Sequence, residues 1–203
     1  TADEEVKIVV ETMGGVEPAF TFVKAMLEAG KSVTTSNKAL VAEKGAELLA
    51  VAKEKNVNFM FEASVGGGIP IIRSINECLT ADKIEEITGI LNGTTNYILT
   101  RMIRAGLSFD DALREAQANG YAEANPAADV EGMDAARKIC ILSSLVFGKH
   151  VYPDQVYTKG IRNITLEDVQ LAQNFGGAVK LIGAVKRLEN GKILPTVMPM
   201  VVM

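Results

Sequence analysis

V-K-I-V-V-E, residues 6–11, is an apolar run followed by paired glycines at 14 and 15. Its length suits a buried strand. The period then changes. From Glu17 to Gly30 the apolar residues fall at helical spacing, with Phe20, Val23, Met26 and Leu27 on one face and Gly30 as the stop. Ser32–Ser36 is a second short strand, Lys38–Asn56 a second helix with Leu40, Leu48, Leu49 and Val51 inward, and Val57–Phe61 a third strand. Strand–helix–strand–helix–strand at this spacing predicts a doubly wound parallel unit. Such sheets bind ligands at the carboxyl ends of their strands. Those ends carry Thr12, Met13, Gly14 and Gly15 after the first strand and Thr35 to Lys38 after the second. A cation is unfavourable beside a helix N-terminus, so Lys38 is a functional candidate as well as an ordinary surface charge. The G-x-G-x-x-G fingerprint of a dinucleotide site is absent between the first strand and helix, and the run Gly66–Gly68 follows the third strand instead.

Beyond Phe61 the pattern mixes. E-A-S-V-G-G-G-I-P (62–70) is a turn rich in backbone freedom, followed by a helix over Ile69–Leu79. Lys83–Leu91 reads as a strand with one polar face, and N-G-T-T-N (92–96) opens a helix running to Ala105. A Gly with Thr at that opening exposes backbone N–H groups to an anion; N-capping by Thr94 or Thr95 is compatible with it. Ser108 caps a helix through Ala118, which Gly120 ends. Met133–Phe147 is a long apolar helix. Thr165–Asn174 is a shorter helix, with Thr165 and Asp168 in capping-box spacing. Lys180–Arg187 and Lys192–Met203 read as strands joined at Asn190-Gly191, a strong hairpin signal. The fold class is thus α/β plus α+β: residues 1–61 form part of a Rossmann-like parallel unit, and residues 62–203 a sheet with helices packed against it.

The 203 residues are 48% hydrophobic with a net charge of -4. That mild acidity argues against nucleic acid as a partner. No apolar run reaches the roughly 18 residues of a membrane span, and no signal-peptide pattern opens the chain. Cys78 and Cys140 lie in apolar helical segments and read as small core residues of a cytoplasmic protein. His150, the sole histidine, reads as a surface residue at a helix end. A start at Thr1 close to a strand, and an end in V-M-P-M-V-V-M, read as a fragment of a longer protein.

The candidate chemistry concentrates in G-Y-A-E-A-N-P-A-A-D-V-E-G-M-D-A-A-R-K, residues 120–138. Asp134 and Lys138 are four apart on a helix and share a face. The loop before them carries Glu123 and Asp129. A lysine among carboxylates suits a small zwitterion or a proton transfer beside one. Spacing alone is equally met by a solvated helix pair worth a few tenths of a kcal/mol.

This stretch resembles the substrate-binding signature of the homoserine dehydrogenase family, with Asp129, Gly132, Asp134 and Lys138 in its spacing. E-A-S-V-G-G-G-I-P and G-I-L-N-G-T-T-N-Y-I-L (89–99) agree with the family in order. The resemblance spans Ile8 to about Met200. It implies interconversion of L-homoserine and L-aspartate 4-semialdehyde with NADP or NAD, in threonine, methionine and isoleucine biosynthesis, by a homodimer. It implies cofactor contacts at Thr12, Gly14 and Lys38. Substrate contacts would fall on Glu123, Asp129, Asp134, Lys138, Gly93 and Thr94, with Glu123 the leading holder of the α-ammonium. Lys138 or Lys38 would be the acid–base group and Asp134 its orienter. A monovalent cation, Na+ or K+, would be held through Glu62, Val65, Gly67 and Ile69; a plain tight turn is the other reading of that segment. The resemblance also implies that the pyrophosphate-binding half lies upstream of Thr1. Two further readings stay open: an inactive dimerisation and substrate-binding core, and a dehydrogenase of another small amino-acid alcohol.

Overall fold

A computed structural model describes residues 2–203. The architecture is α/β plus α+β, as the periodicities predict, in two compact units. One holds the chain to Ile84 together with Cys140–Pro153, and the other holds Glu85–Ile139 and Asp154–Met203.

The first unit is built on β1 (Ile8–Glu11), β2 (Ser32–Thr35) and β3 (Phe59–Met60), parallel and in that spatial order. Val9 pairs with Val33, and Val33 with Phe59. Helices α1 (Ala19–Glu28) and α2 (Lys38–Glu54) connect them. The strand order advances in one direction, so two right-handed crossovers put both helices on one face. Ala19, Val23, Leu27, Leu40, Leu48, Val33 and Phe59 form the core there. On the opposite face Ile8 is 68% exposed, Val10 66% and Met60 62%. The expectation of a buried first strand therefore fails for half its side chains. Strand residues alternate between faces, and only one face of this sheet is covered among the described residues. Leu49 also departs from expectation, being exposed rather than inward.

A 3-10 turn at Glu62–Ser64 leads to α3 (Ile71–Arg73), which continues as a π turn over Ser74–Cys78. Cys78 lies on its exposed side, against the core role read for it, whereas Cys140 is buried.

In the second unit β4 (Glu86–Gly89) starts a four-stranded sheet. Helices α4 (Gly93–Ala105), α5 (Phe109–Ala118) and α6 (Ala127–Val130) follow. Helix α7 (Met133–Phe147) is shared: its residues to Ile139 belong to this unit and those from Cys140 to the first. Then come β5 (Tyr157–Thr158), α8 (Leu166–Asn174), β6 (Ala178–Arg187) and β7 (Ile193–Val202), with sheet order β4-β6-β7-β5. Strands β6 and β7 are an antiparallel hairpin. Leu188 N donates to the Lys192 carbonyl at 2.7 Å, and Gly191 takes φ 77° in the turn. Thr165 and Asp168 make the predicted capping box at α8. Gly160 and Gly183 are among the glycines that set close approaches. A Cβ on Gly160 would overlap the Val130 carbonyl and lie 2.5 Å from Glu131 Cα, and one on Gly183 would lie 2.7 Å from Leu91 Cδ1. Among the described residues no helix is long and apolar enough to cross a membrane.

Candidate functional site

In the second unit the chemistry gathers on Asn92. This residue caps α4, accepting from Thr95 N at 2.8 Å and Thr95 Oγ1 at 2.9 Å. The predicted caps, Thr94 and Thr95, are displaced by it; asparagine is among the best N-cap residues. Its amide nitrogen has two N–H groups and spends them on two carboxylates: Asp129 Oδ1 at 2.6 Å and Asp134 Oδ2 at 2.9 Å. Asn92 and Asp134 are each only 5% exposed. Burying the Asp134 carboxylate with the half-buried Asp129 sharing its donor is costly without further partners, and a cation meets that need. Lys138 Nζ donates to Asp134 Oδ2 at 2.7 Å and to the Leu91 carbonyl at 2.7 Å. An ammonium has three N–H groups, so two are committed to the protein. The predicted Asp134–Lys138 pair is therefore a part-buried one with its carboxylate buried, joined to Asp129 through a residue that spacing did not single out. Asn92 carried one local signal, an Asn three residues before a Thr at a helix start.

The other candidates of this unit sit at its margin. Thr94 Oγ1 donates to the Tyr121 carbonyl at 2.9 Å, tying the loop after α5 to the start of α4. Glu123 is exposed, and Gln117 Nε2 donates to its backbone carbonyl at 3.0 Å. No hydrogen bond or ion pair joins its carboxylate to the Asn92 cluster among the described residues. Gly93 has no positive φ, and a Cβ there would meet nothing within 4 Å. Nothing in the chain's own packing therefore requires glycine at this helix start. Gly132, by contrast, needs it: φ is 85°, and a Cβ would crowd Thr158 Cγ2 at 3.1 Å and Val197 Cγ1 at 3.2 Å.

In the first unit Thr12 and Gly14 lie in the loop after β1, both exposed, and Lys38 is the first residue of α2. Gly14 resembles Gly93: no positive φ, and open space where a Cβ would go. Glu11, 4% exposed, accepts from Met13 N at 2.5 Å and from Thr35 Oγ1. Thr35 Oγ1 accepts from Asn37 N at 2.8 Å. Asn37 caps α2 and donates from Nδ2 to the Gly15 carbonyl at 2.7 Å. Sequence reading passed over Glu11; its one signal was a charge closing an otherwise apolar strand.

Glu62 clamps the start of α3, accepting from Ile72 N at 3.0 Å and Arg73 N at 2.7 Å. Gly66 and Gly67 take φ of 83° and 55°, and Ile69 O accepts from Ile71 N at 2.8 Å. His150 is half-buried and meets the Tyr152 ring edge-on at 4.4 Å between centroids. Burial pushes its imidazole below the ordinary value, with the Ala42 carbonyl acting in the opposite direction. The expectation of a simple surface histidine is thus corrected: the ring, three residues beyond α7, is half-buried against Tyr152.

Comparison with known proteins gives a uniform result. Residues 70–202 match the family model described as homoserine dehydrogenase, and residues 1–62 the one described as homoserine dehydrogenase, NAD binding domain. The chain is 44% identical to the homoserine dehydrogenase of Lactococcus lactis subsp. lactis over 98% of this chain and 47% of that protein. Against the Pseudomonas aeruginosa homoserine dehydrogenase it is 47% identical over 96% of this chain and 46% of that one. The crystal structure of a homoserine dehydrogenase from Thiobacillus denitrificans superposes with a TM-score of 0.94 at 49% identity, covering 97% of this chain and 46% of that chain. A hyperthermophilic archaeal homoserine dehydrogenase in complex with NADPH gives 0.83 at 33% identity, covering 97% and 56%. The chain spans about half the length of the curated relatives it matches.

Proposed function

The chain belongs to the homoserine dehydrogenase family, and from that premise we propose that the whole protein interconverts L-homoserine and L-aspartate 4-semialdehyde. The observation that carries this reading is the part-buried Asn92–Asp129–Asp134–Lys138 cluster. A bound nicotinamide cofactor, NADP or NAD, supplies the hydride chemistry. The chain's own residues bind the zwitterion, orient it and move one proton at its hydroxyl. Lys138 keeps one N–H beyond those given to Asp134 and the Leu91 carbonyl. That N–H serves the substrate oxygen, and Asp134 fixes the ammonium's direction. Lys38 is the alternative acid–base group. Asp129 and Glu123 take the α-ammonium, Glu123 by movement of its exposed loop. Gly93 and Thr94 meet the substrate at the start of α4.

Thr12, Gly14 and Lys38 form the cofactor end of the first unit, where strand ends of a parallel sheet receive ligands. The open space beside Gly14 fits that use. We assign residues 1–61 to the cofactor domain and 62–203 to substrate binding, catalysis and dimerisation; the limits of the two matched family models, 1–62 and 70–202, support that functional division, while residues 62–84 and 140–153 belong to the first compact unit. A monovalent cation at Glu62, Val65, Gly67 and Ile69 is chemically compatible with oxygen donors. Its role there is structural, reinforcing the Glu62 clamp on α3. A homodimer of the cytoplasm, working in amino-acid biosynthesis, completes the reading.

A second reading concerns this chain by itself. The whole Asn92 cluster lies in one unit, which favours homoserine binding without turnover. Calorimetric titration of homoserine into the chain tests the site, with D134N and K138A as controls. Binding lost in both variants is expected. Binding that survives both would remove the substrate role from this cluster. On the full-length protein, homoserine-dependent reduction of NADP or NAD is expected, and its absence would overturn the activity.

A further inference from the structure

Glu11 is a carboxylate closed off from water at the carboxyl end of β1, 4% exposed. A buried charge costs free energy unless it is hydrogen-bonded, and well-packed apolar replacements of buried ionic groups are often neutral or stabilising. The fold alone thus gives little reason for a glutamate here. Its bonds give one. Oε1 takes the N–H of Met13, inside the loop that follows β1, and Oε2 takes the hydroxyl of Thr35 at the end of β2. Thr35 in turn takes the N–H of Asn37, whose side chain holds the Gly15 carbonyl at 2.7 Å and the Leu40 N–H at 3.1 Å. The loop Thr12–Gly15 is therefore pinned twice, at Met13 N by Glu11 and at Gly15 O by Asn37. The same chain of bonds sets the first turn of α2, which begins with Lys38. Between the two pins lies Gly14, with open space beside it.

We propose that Glu11 is a positioning residue for the nicotinamide end of the cofactor site, acting through Thr35 and Asn37 on the 12–15 backbone and on Lys38. This rests on the cofactor reading given above. The test measures binding of NADPH and NADH to the full-length protein by fluorescence titration, together with kcat and the KM values for cofactor and homoserine. The variants are E11A, T35V, T35S and the double variant E11A/T35V. E11A and T35V each weaken cofactor binding about tenfold to a hundredfold, the scale of a buried hydrogen bond to a charged group. Because both substitutions break one chain of bonds, the double variant is no weaker than the worse single one. T35S restores most of the affinity lost in T35V. A purely structural Glu11 lowers the melting temperature alone, so a folded E11A or T35V with unchanged cofactor affinity would overturn the proposal. If E11A does not fold, the contrast between T35V and T35S decides. A wild-type protein that binds neither NADPH nor NADH overturns the cofactor reading itself, and that outcome is distinguished by the wild type failing along with its variants.

Discussion

Asn92 makes four hydrogen bonds from one buried amide, two as acceptor and two as donor to carboxylates. Its replacement by alanine removes a helix cap and leaves Asp129 and Asp134 without their shared donor. The cost is about 2–4 kcal/mol, a cap plus an unsatisfied buried group, read as a fall in the urea midpoint with unchanged m-value. Asn92→Asp is expected to be worse for ligand binding than for stability. It keeps the capping oxygen but sets a third carboxylate against two. Calorimetry with homoserine on both variants separates the two effects. This residue also shows what was legible beforehand. Asp134 and Lys138 were readable as partners because four positions on a helix are adjacent whatever the rest of the chain does. The Asn92 bonds span 37 and 42 positions of sequence, and only the tertiary fold brings such groups together. Glu11 to Thr35, 24 apart, is the same case.

At the scale of elements, glycines and helix ends carry the consequences. Gly160 lets the strand segment at β5 press against the end of α6, where Ile161 N donates to the Val130 carbonyl at 2.8 Å. A methyl group cannot enter that contact, so Gly160→Ala is expected to cost about 1–3 kcal/mol, the range of overpacking, and to loosen the helix that carries Asp129. Thermal unfolding of the variant measures it. At the far end of α7, burial lowers the His150 pKa from 6.5. A depressed folded-state pKa means that the unfolded chain binds the proton more readily. The contribution to stability is full above pH 6.5 and is lost as pH falls through the lower folded value. Urea midpoints between about pH 7.5 and pH 5 are expected to drop on the acid side, and His150→Phe to flatten that slope. Periodicity predicted the longer elements, because amphipathic spacing is a local property, but it missed β5 and the short α6, which puts Asp129 on a helix where a loop was expected. It also missed how many faces of an element are covered. The run at residues 6–11 is apolar enough for a strand buried on both sides, yet Ile8 and Val10 face outward. The composition of a strand does not record on which side the crossover helices lie.

For the molecule as a whole, the path of the chain matters more than the list of its elements. It passes from one compact unit to the other after Ile84, again inside α7 after Ile139, and once more after Pro153. Neither unit is a continuous stretch of sequence, so no single cut can release either one intact. If the chain is expressed as two pieces divided between Asp82 and Lys83, the first piece lacks Cys140–Pro153 and the second carries that segment away from its unit. Neither piece should fold alone, and the two together should recover the far-ultraviolet circular dichroism of the parent. Independent folding of residues 83–203 would count against this interleaving. A protease nick in the same loop should then leave a molecule that runs as two bands after denaturation but elutes as one species under native conditions, severed in its covalent chain and still whole in its fold.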